Sequence, residues 1–156
     1  VEAVVDDTVR VTMPMEQRVR DLFIRFTVAE GDVARLASVN GTLSGVAGAF
    51  DIAGETVTGA AMEVAPDFAV DGNSVAAHVR LLGTIGSRQT LSLNIEFTDG
   101  LTQTVESDVT DFLRDFGSDM LTPLELSGNL LLPLEPGFSF SITDMKTGEV
   151  ENVDLY

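Results

Sequence analysis

Apolar and polar residues alternate along most of this chain, the period of strands that turn one face to a core. Val9, Val11 and Met13 share one face of Thr8 to Met13, with Thr8, Arg10 and Thr12 on the other, and Pro14 ends the run. Leu22, Ile24, Phe26 and Val28 alternate with Phe23, Arg25 and Thr27. From Val75 to Leu82, Val75, Ala77, Val79 and Leu81 point inward while His78 and Arg80 point outward. Leu91, Leu93, Ile95 and Phe97 alternate with Ser92, Asn94 and Glu96, and Asp99-Gly100 then predicts a tight hairpin turn into a returning strand, Leu101 to Val105.

Further along, Leu124, Leu126, Leu130 and Leu132 flank Ser127-Gly128-Asn129, which predicts a bulge or bend. Phe138, Phe140 and Ile142 alternate with Ser139 and Ser141, and Lys146-Thr147-Gly148 predicts a last hairpin into Val150 to Leu155. Two short helices are also predicted. Asp108 would cap one over Val109 to Phe116, with Asp111 at its third position and Gly117 closing it. Asp32 would cap the other over Val33 to Val39, closed by Asn40-Gly41. The expectation is one mostly-β domain over residues 1–156: a two-sheet sandwich of eight or nine short strands with one or two short helices.

Composition sharpens this picture. At 156 residues, 44% hydrophobic, the chain can bury a core without staples. Its formal charge is −16, from 25 acids against nine basic residues, and Lys146 is its one lysine. Such a surface repels phosphate backbones and anionic lipid, so neither nucleic acid nor a membrane surface is an expected partner. Charge is uneven: five arginines lie in the first 35 residues, while from Glu96 onward thirteen acids face Arg114 and Lys146. A solvated acidic face is the simplest meaning. The chain has no segment of about 20 apolar residues and opens on Val1 without a signal peptide, so the expectation is a cytosolic fragment or, better, a mature or trimmed exported protein.

The residues offer little chemistry. There is no cysteine, hence no thiolate site. His78 is the one histidine, and its alternation with Arg80 places it on a solvent face without a Gly-x-Ser-x-Gly elbow. Asp108, Asp111, Asp115 and Asp119 could suggest calcium, but they lack the Asp-x-Asp-x-Asp-Gly loop, and capping accounts for them. Gly41 to Gly54 has no Gly-Lys-Ser/Thr sequel, so its glycines are expected in turns and close packing rather than a phosphate loop. Asn40-Gly41-Thr42 fits an N-glycosylation pattern at an expected helix end. A glycosidase would need two carboxylates across a sugar cleft, and the chain has no tryptophan and a single tyrosine, Tyr156, to line one. No catalytic residue, cofactor or metal ligand is expected.

Four segments carry a resemblance: Leu43-Ser44-Gly45-Val46-Ala47-Gly48, then Leu91 to Gly100, then Asp108-Val109-Thr110-Asp111, then Gly137 to Asp144. In this order they resemble the fimbrillin-like, minor fimbrial subunit families of Bacteroides and relatives, including cell-surface lipoproteins. The likeness runs from about residue 20 to the end of the chain. It departs at Met145, where those families often carry tryptophan, and in lacking a lipobox cysteine.

The resemblance implies a Greek-key, transthyretin-like sandwich exported to the outer membrane surface or an extracellular fimbria. Its partners would be other fimbrial or cell-surface subunits, with anchoring through a lipid attached outside this sequence. It further implies a non-enzymatic role in fimbria assembly or adhesion, by addition of a donated strand to an open sheet edge. Candidate exchanged strands are Thr8 to Met13, through Val9, Val11 and Met13, and Val150 to Tyr156, through Val150, Val153 and Leu155. The alternative is that both are ordinary sheet strands, the favoured reading for Thr8 to Met13. Asp7-Thr8-Val9 is similar to the O-glycosylation triplet of these bacteria. Two alternatives stand beside this expectation: a surface glycan-binding domain of a nutrient-uptake system, and an acidic enzyme using a carboxylate pair.

Overall fold

The computed structural model describes residues 11–12, 15–132 and 141–149. Among these residues, nine strands form two packed sheets, a β-sandwich: β1 (Arg20–Glu30), β2 (Leu36–Asp51), β3 (Thr56–Val64), β4 (Ala69–Asp71), β5 (Ser74–Leu81), β6 (Thr90–Phe97), β7 (Thr102–Asp108), β8 (Leu124–Leu131) and β9 (Ser141–Glu149). One sheet has the order β4-β5-β1-β8-β9 and the other β3-β2-β6-β7. After β1 the chain crosses to the second sheet for β2 and β3, returns for β4 and β5, crosses for β6 and β7, and returns for β8 and β9.

Alternation in the sequence becomes the inside of the sandwich. Leu22, Ile24 and Phe26 of β1 are fully buried, as are Leu91, Leu93 and Ile95 of β6 and Leu126 and Leu130 of β8. β1 lies centrally, antiparallel to β5 and parallel to β8. The Asp99-Gly100 turn joins β6 to β7 as expected, with Gly100 at φ +88°. The bulge expected at Ser127-Gly128-Asn129 falls on the partner instead: β8 runs regularly against β1 there, and the extra residue lies on β9, between Thr143 and Lys146.

Long-range pairing overrides several local expectations. Asp32 does cap, accepting from the Ala34 amide, but only over a 3-10 turn, Val33–Arg35. From Leu36 the backbone pairs with β6, with Leu36 opposite Phe97 and Val39 opposite Ile95. The spacing of Val33, Leu36 and Val39 mimics a helix face, yet their backbone bonds are met by the neighbouring strand. Asn40-Gly41-Thr42 therefore lies within β2 and not at a helix end.

The helix expected over Val109 to Phe116 is also replaced, by successive turns and a 3-10 turn at Phe116–Ser118. Val109, Leu113 and Phe116 are buried at helical spacing, and Leu113 donates to the Val109 carbonyl. That single turn does not propagate, because so short a segment gains too few bonds to offset nucleation. Among the described residues there is no α-helix, and no helix long and apolar enough to cross a membrane. Lys146-Thr147-Gly148 is no hairpin: all three residues continue β9, opposite Ser127, Leu126 and Glu125.

Candidate functional site

Among the described residues, each sheet leaves two strands with one free edge: β4 and β9 in the five-stranded sheet, β3 and β7 in the other. Unpaired main-chain N–H and C=O groups at such an edge are a template for an incoming strand, and proteins normally guard them with shortness, charge or bulges. Three of the four edges are guarded by shortness or charge. β4 has three residues. β7 presents the exposed acids Glu106 and Asp108. β9 carries Lys146 and Glu149, and is bent at Asp144, whose φ of +53° is a conformation that L-residues seldom adopt.

β3 is neither short nor charged over most of its length, and its guard is a bulge, with an extra residue between Thr58 and Ala61 where Gly59 adopts φ +88°. Its nine residues run Thr-Val-Thr-Gly-Ala-Ala-Met-Glu-Val, with no charge before Glu63. Thr58 to Glu63 are all exposed, and Met62 leaves 54% of its surface in solvent. Small side chains at Gly59, Ala60 and Ala61 would let another backbone approach closely. Bulges in the β2–β3 ladder fall between Leu43 and Val46 and between Ala47 and Ala49. Near the first of them Gly45 adopts φ +72°, with a Cβ there lying 2.3 Å from the Arg88 carbonyl oxygen, so the position admits only glycine.

Next to β3 the sandwich opens into a cleft of about 340 Å³. Arg18, Phe50, Glu55, Thr84, Arg114 and Met120 contribute to its walls. Arg18 pairs with Glu16 at 2.6 Å and Glu55 at 3.2 Å, with its guanidinium 5.0 Å from the Phe50 ring centre. Gln17 donates to the Met120 carbonyl at 2.9 Å. These contacts tie the segment before β1 to the β2–β3 turn on one side and to the loop before β8 on the other.

The candidate exchange residues are only partly within view. Val11 is 76% exposed and lies outside any strand. Val9, Met13, Val150, Val153 and Leu155 lie outside the described residues.

His78 faces outward from β5 as expected, but it belongs to a cluster that sequence reading missed. Its Nε2 lies 2.7 Å from Asp21 Oδ1, which also accepts from Arg80 Nε at 2.9 Å. The imidazole stacks on Phe23, with ring centres 4.5 Å apart. Partial burial pushes the Asp21 carboxyl up, but hydrogen bonds and charge from His78 and Arg80 outweigh it and hold the group below its ordinary value. The cluster follows from cross-strand register, with Asp21 opposite Arg80 and Phe23 opposite His78. It clamps the outer face of β1 to β5.

Arg20 was also missed. It is 2% exposed, donates from Nε to the Thr122 carbonyl at 2.6 Å and from Nη1 to the Phe116 carbonyl at 2.9 Å, and rests over the Phe116 ring. Its parity with Leu22 and Ile24 was the available signal, since both sit on the inward face. It holds the loop between β7 and β8 against the end of the core.

The acidic run serves local structure. Asp108 accepts from the Thr110 hydroxyl and amide, and these bonds lower its pKa. Asp119 is lowered similarly by Thr122 and the Leu121 amide. Asp111 pairs with Arg114. Among the described residues no group of three or more His, Cys, Asp or Glu side chains is placed to hold a metal ion.

No family model matches this sequence, and no curated protein matches it. Among solved structures the chain is similar to the crystal structure of a protein from Bacteroides ovatus described as a "putative adhesin". The TM-score is 0.57 at 16% identity, over 88% of this chain and 52% of that one. At that identity the likeness is one of fold, and this chain spans about half the length of the other.

Proposed function

We propose that this protein is an exported, non-enzymatic cell-surface adhesion or structural domain, a fimbrial subunit or fimbria-associated protein, that joins its partners by strand addition at β3. The observation that carries this is the contrast among the edges: three are guarded by shortness or charge, while β3, though bulged, offers an exposed, uncharged run from Thr58 to Met62. Main-chain hydrogen bonds along that run would supply affinity, and alternate side chains register. The donors are the segments Thr8 to Met13, which alternates apolar and polar residues, and Val150 to Tyr156, which carries Val150, Val153 and Leu155, of another subunit. The fold shared with the Bacteroides ovatus protein supports a role in adhesion at the cell surface.

In the native host, protease added to intact cells is expected to degrade the protein without lysis. Antibody against it is expected to reduce attachment to host matrix or to neighbouring bacteria. A protein found protected inside intact cells would overturn the proposal.

A further inference from the structure

The outer face of the four-stranded sheet has a shape that follows from side-chain length. Its two central strands present short hydroxyl residues, Thr42 and Ser44 on β2 and Thr90 and Ser92 on β6, all half-buried. Its outer strands present long carboxylates, Glu63 on β3 and Glu106 on β7, both exposed. Register sets Thr42 opposite Ser92 and Ser92 opposite Glu106, and Glu63, at the β2–β3 bulge, lines the same depression. Short residues between long ones leave a trough of about 400 Å³, with Arg88 at one end. That volume lies within the range of about 300–1,000 Å³ typical of small-ligand sites.

The trough's polar groups divide into two sets. Ser44 is used by the fold, its hydroxyl accepting from the Thr90 amide at 3.2 Å. Arg88 lies 3.8 Å from Asp108. By contrast, the side chains of Thr42, Glu63, Ser92 and Glu106 have no hydrogen bond or ion pair among the described residues. Two carboxylates and two hydroxyls thus face the same depression with their bonding capacity open.

Dimensions decide what these groups could share. Glu63 and Glu106 stand on the first and fourth strands of the sheet, three strand spacings or about 14 Å apart at the backbone. Two oxygens on one calcium ion are at most about 5 Å apart, so the pair does not suit a single cation. It suits an extended ligand that donates hydroxyls to both carboxylates and exchanges hydrogen bonds with the floor. Arg88 disfavours a basic peptide and can donate to a ligand oxygen.

We propose that this trough binds a neutral, polyhydroxylated ligand, a short stretch of glycan, gripped through hydroxyl-to-carboxylate bonds without aromatic stacking. This rests on the surface-adhesion proposal and names the class of ligand that the adhesion domain would recognise.

The test is an array of neutral oligosaccharides, followed by calorimetric titration of the tightest binder against wild type and three variants. Glu106→Gln and Glu63→Gln each remove a charged acceptor at an exposed position and are expected to weaken binding about tenfold. Ser92→Phe fills the trough and is expected to abolish binding, and far-ultraviolet circular dichroism establishes that each variant is folded. Amide shifts on titration should centre on Thr42, Ser92 and Glu106. Absence of binding across the array, or binding that all three variants retain, overturns the proposal. So does capture of an oligolysine peptide in place of sugars, with loss at high salt. Surface exposure in the native host is measured separately: an exposed protein that ignores glycans overturns only the ligand class. A protein buried inside intact cells overturns the adhesion reading, whatever the array shows.

Discussion

β1 and β3 are both long strands, and they show opposite uses of a sheet. β1 pairs on both sides, with β5 and with β8, and hides Leu22, Ile24 and Phe26 completely. β3 pairs, among the described residues, with β2 alone and leaves Thr58 to Glu63 exposed. In β1 every second side chain is committed to the core, so sequence, register and stability are locked together. In β3 the side chains contribute little to the core.

Truncation inside β1 should have the largest effect. Ile24→Ala is expected to lower unfolding free energy by about 3–4 kcal/mol in urea titration, from lost transfer energy and a residual cavity. Arg20→Met should come next, at about 2–3 kcal/mol, because the Phe116 and Thr122 carbonyls lose a charged donor while the apolar stem remains. Hydrogen exchange should also show the loop between β7 and β8 opening first in that variant. A loss under 1 kcal/mol would mean that water replaces the guanidinium freely.

The Asp21 clamp should contribute less, about 1 kcal/mol, since its partners His78 and Arg80 are partly exposed. Its sign with pH is fixed. The folded carboxyl titrates below the unfolded value of 3.8, so its contribution is full above that value and is lost as pH falls through the folded one. Asp21→Asn should therefore flatten that part of the acid limb of the stability profile. An unchanged acid limb would mean that the clamp contributes nothing to stability. Smallest of all should be Ala60→Lys at the β3 edge, within about 0.5 kcal/mol of wild type. The same substitution should nevertheless block strand addition, so it separates the edge's role in stability from its role in assembly.

The same contrast explains what could be seen in the sequence. The β1, β5, β6 and β8 strands announce themselves, because their inward positions are large and apolar and their outward positions polar. β3 does not, since an exposed strand of Thr, Gly and Ala imposes no alternation. β2 is disguised at its start by the helical spacing of Val33, Leu36 and Val39, and along its length by bulges that shift the period. The Asp21–His78–Arg80 cluster and the trough from Glu63 to Glu106 are set by cross-strand register, which links residues tens of positions apart. Register leaves no mark in a local window. Arg20 was within reach, because its parity with Leu22 already placed a charge on the buried face.

Hydrogen–deuterium exchange on the folded protein, with and without synthetic peptides spanning Asp6 to Met15 and Val150 to Tyr156, tests the account most directly. It predicts that one or both peptides slow exchange along Thr56 to Val64, and that Ala60→Lys removes this protection while leaving β1 as slow as before. Exchange along β3 that neither peptide changes, or protection that appears instead at β7 or β9, would contradict it.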